Sequence, residues 1–331
     1  MVGRVLFLIV TAIALYGLAP ELLNMWGQVP QLQNISPYWF VAMVALEGGS
    51  YACAWELTRI ALPKVSWFVA ATSQLVANAV AKVVPGGAAI GAATGFRMLS
   101  VSGVDRGSAG AALAANAIIS NGVLLCLPIV AVALSIIGAP IPEGLVHVAW
   151  GGAVLALVLF GFTYCLIRFD RPIHLLGRAI ERISSWIQRR RGHSGGTTAE
   201  GMIRQRDQMV AALGSRWRAA LFAAVGNWIL DYFALVAALR ACGVNPRLSL
   251  VLLAFAVAAV LGMIPITPGG VGFVEAGLTA MLVLADVPGE KALLATLAYR
   301  VVSYWLPLPA GVAAHFAFRH RYGSQAAAVS A

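Results

Sequence analysis

The chain of 331 residues is 60% hydrophobic and only 11% charged, with a mean hydropathy of +0.83, whereas an ordinary soluble domain is about 25% charged. This excludes a water-soluble globular protein and, with several apolar runs of about 20 residues, predicts an all-α polytopic membrane protein. The net charge of +10 sits mainly in one loop and at segment ends, so it reads as orientation in the bilayer and not as nucleic-acid binding.

Taken in chain order, the first apolar run is 5–19. Tyr16, Pro20 and Glu21 stand where a signal-peptide cleavage site needs small residues, so the run is read as a retained span. A second span covers 38–62. The stretch 65–99 is broken by Pro85-Gly86-Gly87 and is predicted to be two short helices joined by a turn inside the membrane. A span at 108–137 closes a first membrane repeat, 1–137. The second repeat, 138–331, holds spans at 144–167 and 219–239, a hairpin at 248–287 broken by Pro265 and Pro268-Gly269-Gly270, and a span at 293–318. The expectation is therefore about six full spans plus two broken, re-entrant-type hairpins. Broken backbone is tolerated at membrane depth only where protein or a watery cavity satisfies it. Cys53, Cys126, Cys165 and Cys242 lack metal-ligand or CxxC spacing and read as small core residues.

The loop 168–218 carries eleven arginines, among them Arg189, Arg190 and Arg191, and the positive-inside rule places it in the cytoplasm. Counting spans outward from it puts both termini, Arg59, Lys64, Arg106, Arg319 and Arg321 inside, and Glu21 and Glu143 outside. Arg240 and Arg247 alone run against the rule. Within the loop, Ile173, Leu176, Ile180, Ile183 and Ile187 recur at helical spacing opposite Arg178 and Arg182, the pattern of an amphipathic helix on the inner leaflet. The preference for Arg, with Lys only at 64, 82 and 291, and the abundance of Ala and Gly are compositional marks of a GC-rich bacterial genome. The expected location is a bacterial cytoplasmic membrane.

Shifting the chain on itself by 183 positions aligns the two Pro-Gly-Gly turns and, without a gap, Ser66 with Ser249, Met98-Leu99 with Met281-Leu282, Val104 with Val287 and Ser120 with Ser303. The orientation count has the first broken hairpin entering from the cytoplasm and the second from outside. That is an inverted-topology repeat, an architecture of transporters whose site lies near the midplane between the halves. Two merely kinked packing helices fit the same pattern.

Charges inside predicted spans are candidates for function, because they are costly at membrane depth. They are Glu47 and Glu56, Lys82, Arg97, Asp231, Glu275 and Arg300. Glu275 falls one turn into the helix opened by Gly269-Gly270-Val271-Gly272, near free N–H groups that attract anions. Arg300 is its natural partner, and the two either take part in headgroup recognition or simply brace the hairpin. Arg97 and Lys82 leave the first hairpin basic, with snorkelling to the interface as the plainer role for Arg97. The two hairpins are expected to meet one anionic headgroup at the start and at the end of its passage. Glu56 and Arg59 read as an interfacial ion pair. Glu47 and Asp231, offset by one position in the repeat, are the candidates for proton or cation coupling. Tyr304 and Trp305 fit an interfacial belt or a structural place beside the hairpin. There is no HExxH, GxSxG, Walker loop or Cys/His cluster, so no enzyme, cofactor or metal is expected.

The segments Thr267-Pro-Gly-Gly-Val-Gly-Phe-Val-Glu275-Ala and Tyr299-Arg300-Val-Val-Ser-Tyr304-Trp305-Leu-Pro307 resemble the lysylphosphatidylglycerol synthase transmembrane (flippase-domain) family, which takes in the MprF membrane region and the YbhN- and AglD-type proteins. The first-half stretch from Pro85-Gly86-Gly87 to Arg97 is similar to the family's other motif, which usually carries a Glu where this chain has Ala92. The resemblance implies a lipid translocase handling an anionic phospholipid, aminoacyl-phospholipid or polyprenyl-phosphate-linked lipid. The residues expected to bind it are Pro85, Gly86, Gly87, Arg97, Pro268, Gly269, Gly270, Gly272, Glu275, Arg300, Tyr304 and Trp305. The aminoacyl-transferase part of such synthases has no counterpart in these residues, so transport without lipid synthesis is expected. A scaffold that recruits a lipid-modifying or glycosyltransferase enzyme through loop 168–218 is the competing expectation, and a membrane transferase using Glu275 or Asp231 as base is a third.

Overall fold

The computed structural model of the chain describes residues 36–84, 87–137, 214–263 and 268–329, with isolated positions between 150 and 207. Among the described residues all regular structure is helical. The helices are α1 (Pro37–Ala61), α2 (Trp67–Val83), α3 (Gly87–Val101), α4 (Arg106–Ile137), α5 (Trp217–Ala241), α6 (Leu248–Gly262), α7 (Phe273–Leu284), α8 (Gly289–Arg300) and α9 (Pro307–Val329). A short 3-10 turn covers Pro268–Gly270, and a π-turn, Val301–Trp305, joins α8 to α9.

Local sequence explains the boundaries. Pro37 occupies the first turn of α1, where its missing N–H costs nothing. The Ser66 hydroxyl caps α2 by accepting from Val69 N–H at 3.3 Å. The expected breaks fall where they were read: α2 and α3 flank Val84–Gly86, and α6 and α7 flank the Pro268–Gly270 turn. Among the described residues three helical stretches are long and apolar enough to cross a bilayer, Arg106–Leu134, Trp217–Ala241 and Gly289–Gly323. The first helix, α1, has 25 residues, about 37 Å at 1.5 Å each, but Glu47, Glu56 and Arg59 lower its hydropathy. The helical stretch that contains the span expected at 293–318 runs from Gly289 through the π-turn to Val329, and its part apolar enough to cross is Gly289–Gly323. The run 5–19, Pro85-Gly86, Thr267 and nearly all of loop 168–218 lie outside the described residues. Within 144–167 the described positions, among them Trp150, Val154 and Leu157, are helical.

The packing is reciprocal. The first helix, α1, lies along α5; α2 packs on α3 and α6 on α7; α4 packs on α6, and α9 on α2. Small residues permit these approaches. Gly87, Gly91 and Gly95 form a stripe of i,i+4 spacing on α3, and a Cβ at Gly91 would overlap the Ala77 carbonyl of α2. Gly226 of α5 sits on the Cys53 sulfur of α1, beside a two-way hydrogen-bond exchange in which the Ser50 hydroxyl donates to Asn227 O (2.9 Å) and the Asn227 amide donates to Ser50 O (3.1 Å).

Positions related by the 183-residue shift also share a backbone turn. After α3, Ser102 N–H donates to Met98 O, Gly103 N–H to Ser100 O and Val104 N–H to Leu99 O; after α7, Ala285, Asp286 and Val287 donate to Met281, Val283 and Leu282. Gly103 and Asp286, both at positive φ (93° and 65°), hold the same place in it. The ends of each helical pair lie together. Arg247 before α6 pairs with Asp286 after α7 at 3.3 Å, and Lys291 donates to Gly243 O at 3.4 Å. At the other end of the molecule Lys64, Ser66, Asp105, Arg216 and Arg321 line one cavity. Of the residues read as cytoplasmic, Lys64, Arg216 and Arg321 thus share one cavity, and Arg247, beyond the other end of α5, has an acidic partner.

Candidate functional site

The site begins with a consequence of proline. In an α-helix Ser303 O would accept from the N–H of residue 307, but Pro307 has none. The helix opens into the π-turn, with Leu306 N–H bonded to Val301 O at 2.9 Å, and Ser303 O accepts from the Lys82 ammonium at 2.7 Å. Lys82 is at the C-terminal end of α2, so this bond ties the tip of the first broken hairpin to the last long helix. The Tyr304 hydroxyl returns a bond to Lys82 O at 2.9 Å.

The tip of the second hairpin reaches the same place. Gly269 has φ 61° and lies flat against the Tyr304 ring, where a Cβ would overlap it. Both the left-handed backbone and the contact call for glycine. Gly272, at φ 81°, begins α7, and Glu275 caps that helix by accepting from Gly272 N–H at 2.7 Å. The other Glu275 oxygen takes Arg300 Nε–H at 2.5 Å, and Arg300 Nη2 donates to Gly269 O at 3.4 Å. The expected Glu275–Arg300 pair therefore exists, buried, and both carboxylate oxygens are occupied.

Two cations flank Tyr304. The Arg300 guanidinium lies 4.3 Å from its ring centroid and the Lys82 ammonium 5.2 Å. Trp305 stacks edge-on against the ring at 5.2 Å. Among the described residues Arg300 donates through Nε to Glu275 and through Nη2 to Gly269 O, and a guanidinium carries five N–H groups in a fork that suits an anion. Deeper in, the Tyr299 hydroxyl donates to Asp231 at 2.6 Å, and the Asp231 carboxyl faces Glu47.

The structure thus brings together Gly269, Gly270, Gly272, Glu275, Arg300, Tyr304 and Trp305, with Glu47 and Asp231 behind them. The Pro268 backbone is in the same turn. Gly87 packs the base of α3 onto α2, Arg97 is exposed, and Pro85 and Gly86 lie outside the described residues. Lys82, at the end of α2, and Gly269, in the turn before α7, meet at the hydroxyl end of one tyrosine, Tyr304. Glu56 and Arg59 form the expected pair at 2.8 Å. Lys82 was legible as a charge at membrane depth, but its place depends on Ser303 O, and the signal for that was Pro307 four residues on. Tyr299 and Ser303 were missed, being ordinary in an apolar helix until their partners are known. Among the described residues no group of three or more His, Cys, Asp or Glu is arranged to hold a metal.

The sequence pattern of the family described as the lysylphosphatidylglycerol synthase TM region matches residues 3–311. Curated relatives named UPF0104 membrane protein, from Methanothermobacter thermautotrophicus, are 30% identical over 80 residues (24% of this chain and 24% of the relative) and 32% identical over 87 residues (26% of each). These matches span about a quarter of the relatives' length. No solved structure shows a significant match.

Proposed function

The chain belongs to the family of the lysylphosphatidylglycerol synthase TM region, and on that premise we propose that it is a membrane lipid translocase, moving a lipid with an anionic phosphate-bearing headgroup between leaflets. The observation that carries this reading is the convergence of both broken hairpins on Tyr304, with Lys82 and Arg300 presented on its ring inside a helix long enough to span the bilayer. Cations there need an anionic partner. At rest the buried carboxylates Glu275, Asp231 and Glu47 supply the counter-charge, and a headgroup phosphate beside Lys82 and Arg300 accepts charge-assisted hydrogen bonds from them while its tails stay in lipid.

An inverted repeat is part of the proposal. Supporting it are the shared turn at Gly103 and Asp286, the reciprocal packing of α4 on α6 and α9 on α2, and the closure of each helical pair at its own end of the molecule. Rocking of one half against the other about the shared tyrosine then exposes the headgroup site to either leaflet. The membrane is the bacterial cytoplasmic one, with both termini and loop 168–218 inside.

The test is headgroup movement in reconstituted vesicles carrying phosphatidylglycerol, lysylphosphatidylglycerol or a polyprenyl phosphate. Wild type should accelerate movement of at least one, and Lys82→Ala and Arg300→Ala should abolish the gain. Equal movement with and without protein for all three sinks the reading.

A further inference from the structure

Behind the headgroup site lies a group of charges that does not balance. Two cations, Lys82 and Arg300, face three carboxylates, Glu47, Asp231 and Glu275, and these five share one electrostatic neighbourhood. If all were ionised, one negative charge would remain at membrane depth, where an uncompensated charge is expensive. Glu275 cannot be the origin of the imbalance, since both its oxygens have partners.

The other two carboxylates are different. Glu47 is 7% exposed, yet its Oε2 is buried without a hydrogen-bond partner. The charged group that acts on it most strongly is another carboxyl, Asp231, whose Oδ1 is already taken by the Tyr299 hydroxyl. Two carboxylates offer each other no hydrogen, and they repel. A single proton between them removes the repulsion, provides the missing donor and neutralises the cluster. The groups facing the pair are Tyr51 from α1 itself, Lys82 from α2, and Tyr299 and Arg300 from α8. Among these groups the two carboxyls alone remove the negative excess by taking up a proton.

We propose that Glu47 and Asp231 form the proton site of this protein, holding one exchangeable proton in the resting state and a second when an anionic headgroup arrives. This rests on the translocase reading for its cargo. A singly charged phosphate beside Lys82 and Arg300 restores the negative excess, so a further proton enters with it. The chemistry is an O–H bond formed at a carboxylate with a proton from water and broken again on release, with no redox change. Lipid and proton then move in the same direction.

Hydrogen/deuterium infrared difference spectra of the purified protein in phosphatidylcholine vesicles at neutral pH test the site. A protonated carboxyl shifts on deuteration and lipid esters do not. Wild type should show one protonated-carboxyl band. The band should be lost in Glu47→Gln and Asp231→Asn, which balance the cluster without a proton, and kept in Glu47→Asp, which retains the carboxyl and controls for folding. Adding phosphatidylglycerol should strengthen the wild-type band about twofold. No band in wild type, or a band that survives in both neutral variants, overturns the proposal. Headgroup movement in the same vesicles separates the two readings: a band without movement sinks the translocase alone, and movement without a band sinks the proton site alone.

Discussion

Glu275 has two duties that share one side chain, capping α7 through Gly272 N–H and neutralising Arg300. Because both groups are buried, removing one partner strands the other. Arg300→Ala is expected to cost about 3–5 kcal/mol, seen as a lower thermal midpoint in detergent. The double variant Arg300→Ala/Glu275→Ala should cost clearly less than the two single changes added, since the isolated charge is gone. At the water-facing end, Asp105 accepts from Ser108 N–H (2.9 Å) and from the Ser108 hydroxyl (3.2 Å) at the start of α4. These bonds hold its carboxyl below the usual aspartate value. A depressed folded value means that the contribution is complete above the unfolded one, about 3.9, and fades as pH falls through the lower folded value. Midpoints measured down to acid pH should therefore decline more steeply in wild type than in Asp105→Asn.

At the scale of elements, the short helices are defined by what they pack against. Neither α2, with 17 residues, nor α3, with 15, makes an ordinary transmembrane length. They are held by close approach along the Gly87, Gly91, Gly95 stripe. Gly91→Leu drives a side chain into the Ala77 backbone and should cost about 1–3 kcal/mol or unseat the hairpin. By contrast, Gly122 of α4 meets nothing within 4 Å among the described residues, so Gly122→Ala should be neutral or stabilising by up to about 1 kcal/mol from helix propensity. Thermal midpoints of the two variants in one detergent check both. The π-turn is the opposite case: Pro307 marked a kink, but which group would use the freed Ser303 carbonyl depended on Lys82, more than two hundred residues earlier.

For the whole molecule, the reciprocal packing and the gathering of Lys64, Asp105, Arg216 and Arg321 at one end give the inverted arrangement a direct check. With Cys53, Cys126, Cys165 and Cys242 replaced by alanine, single cysteines at 64 and 105 should react with an impermeant thiol reagent from the cytoplasmic side. Cysteines at 247 and 286 should react from the other. If 247 and 286 react from opposite sides, the second helical pair crosses the membrane and the repeat is not inverted as proposed. The exposed apolar side chains of Phe222, Ile229, Val312 and Phe316 fit a surface solvated by lipid.

The membrane class, the helix breaks at Pro-Gly-Gly and the Glu275–Arg300 pairing were set by the sequence itself. Hydropathy, chain-breaking residues and the cost of a lone membrane charge act locally or admit few partners. Only the tertiary structure decided that both hairpin tips share Tyr304, that Lys82 takes the carbonyl released by Pro307, and that Glu47 is left with an unpartnered oxygen beside Asp231. These depend on which helix faces lie against one another. In an apolar chain rich in small residues, a helix carries too little periodic polarity to announce its inward face, and packing makes that choice.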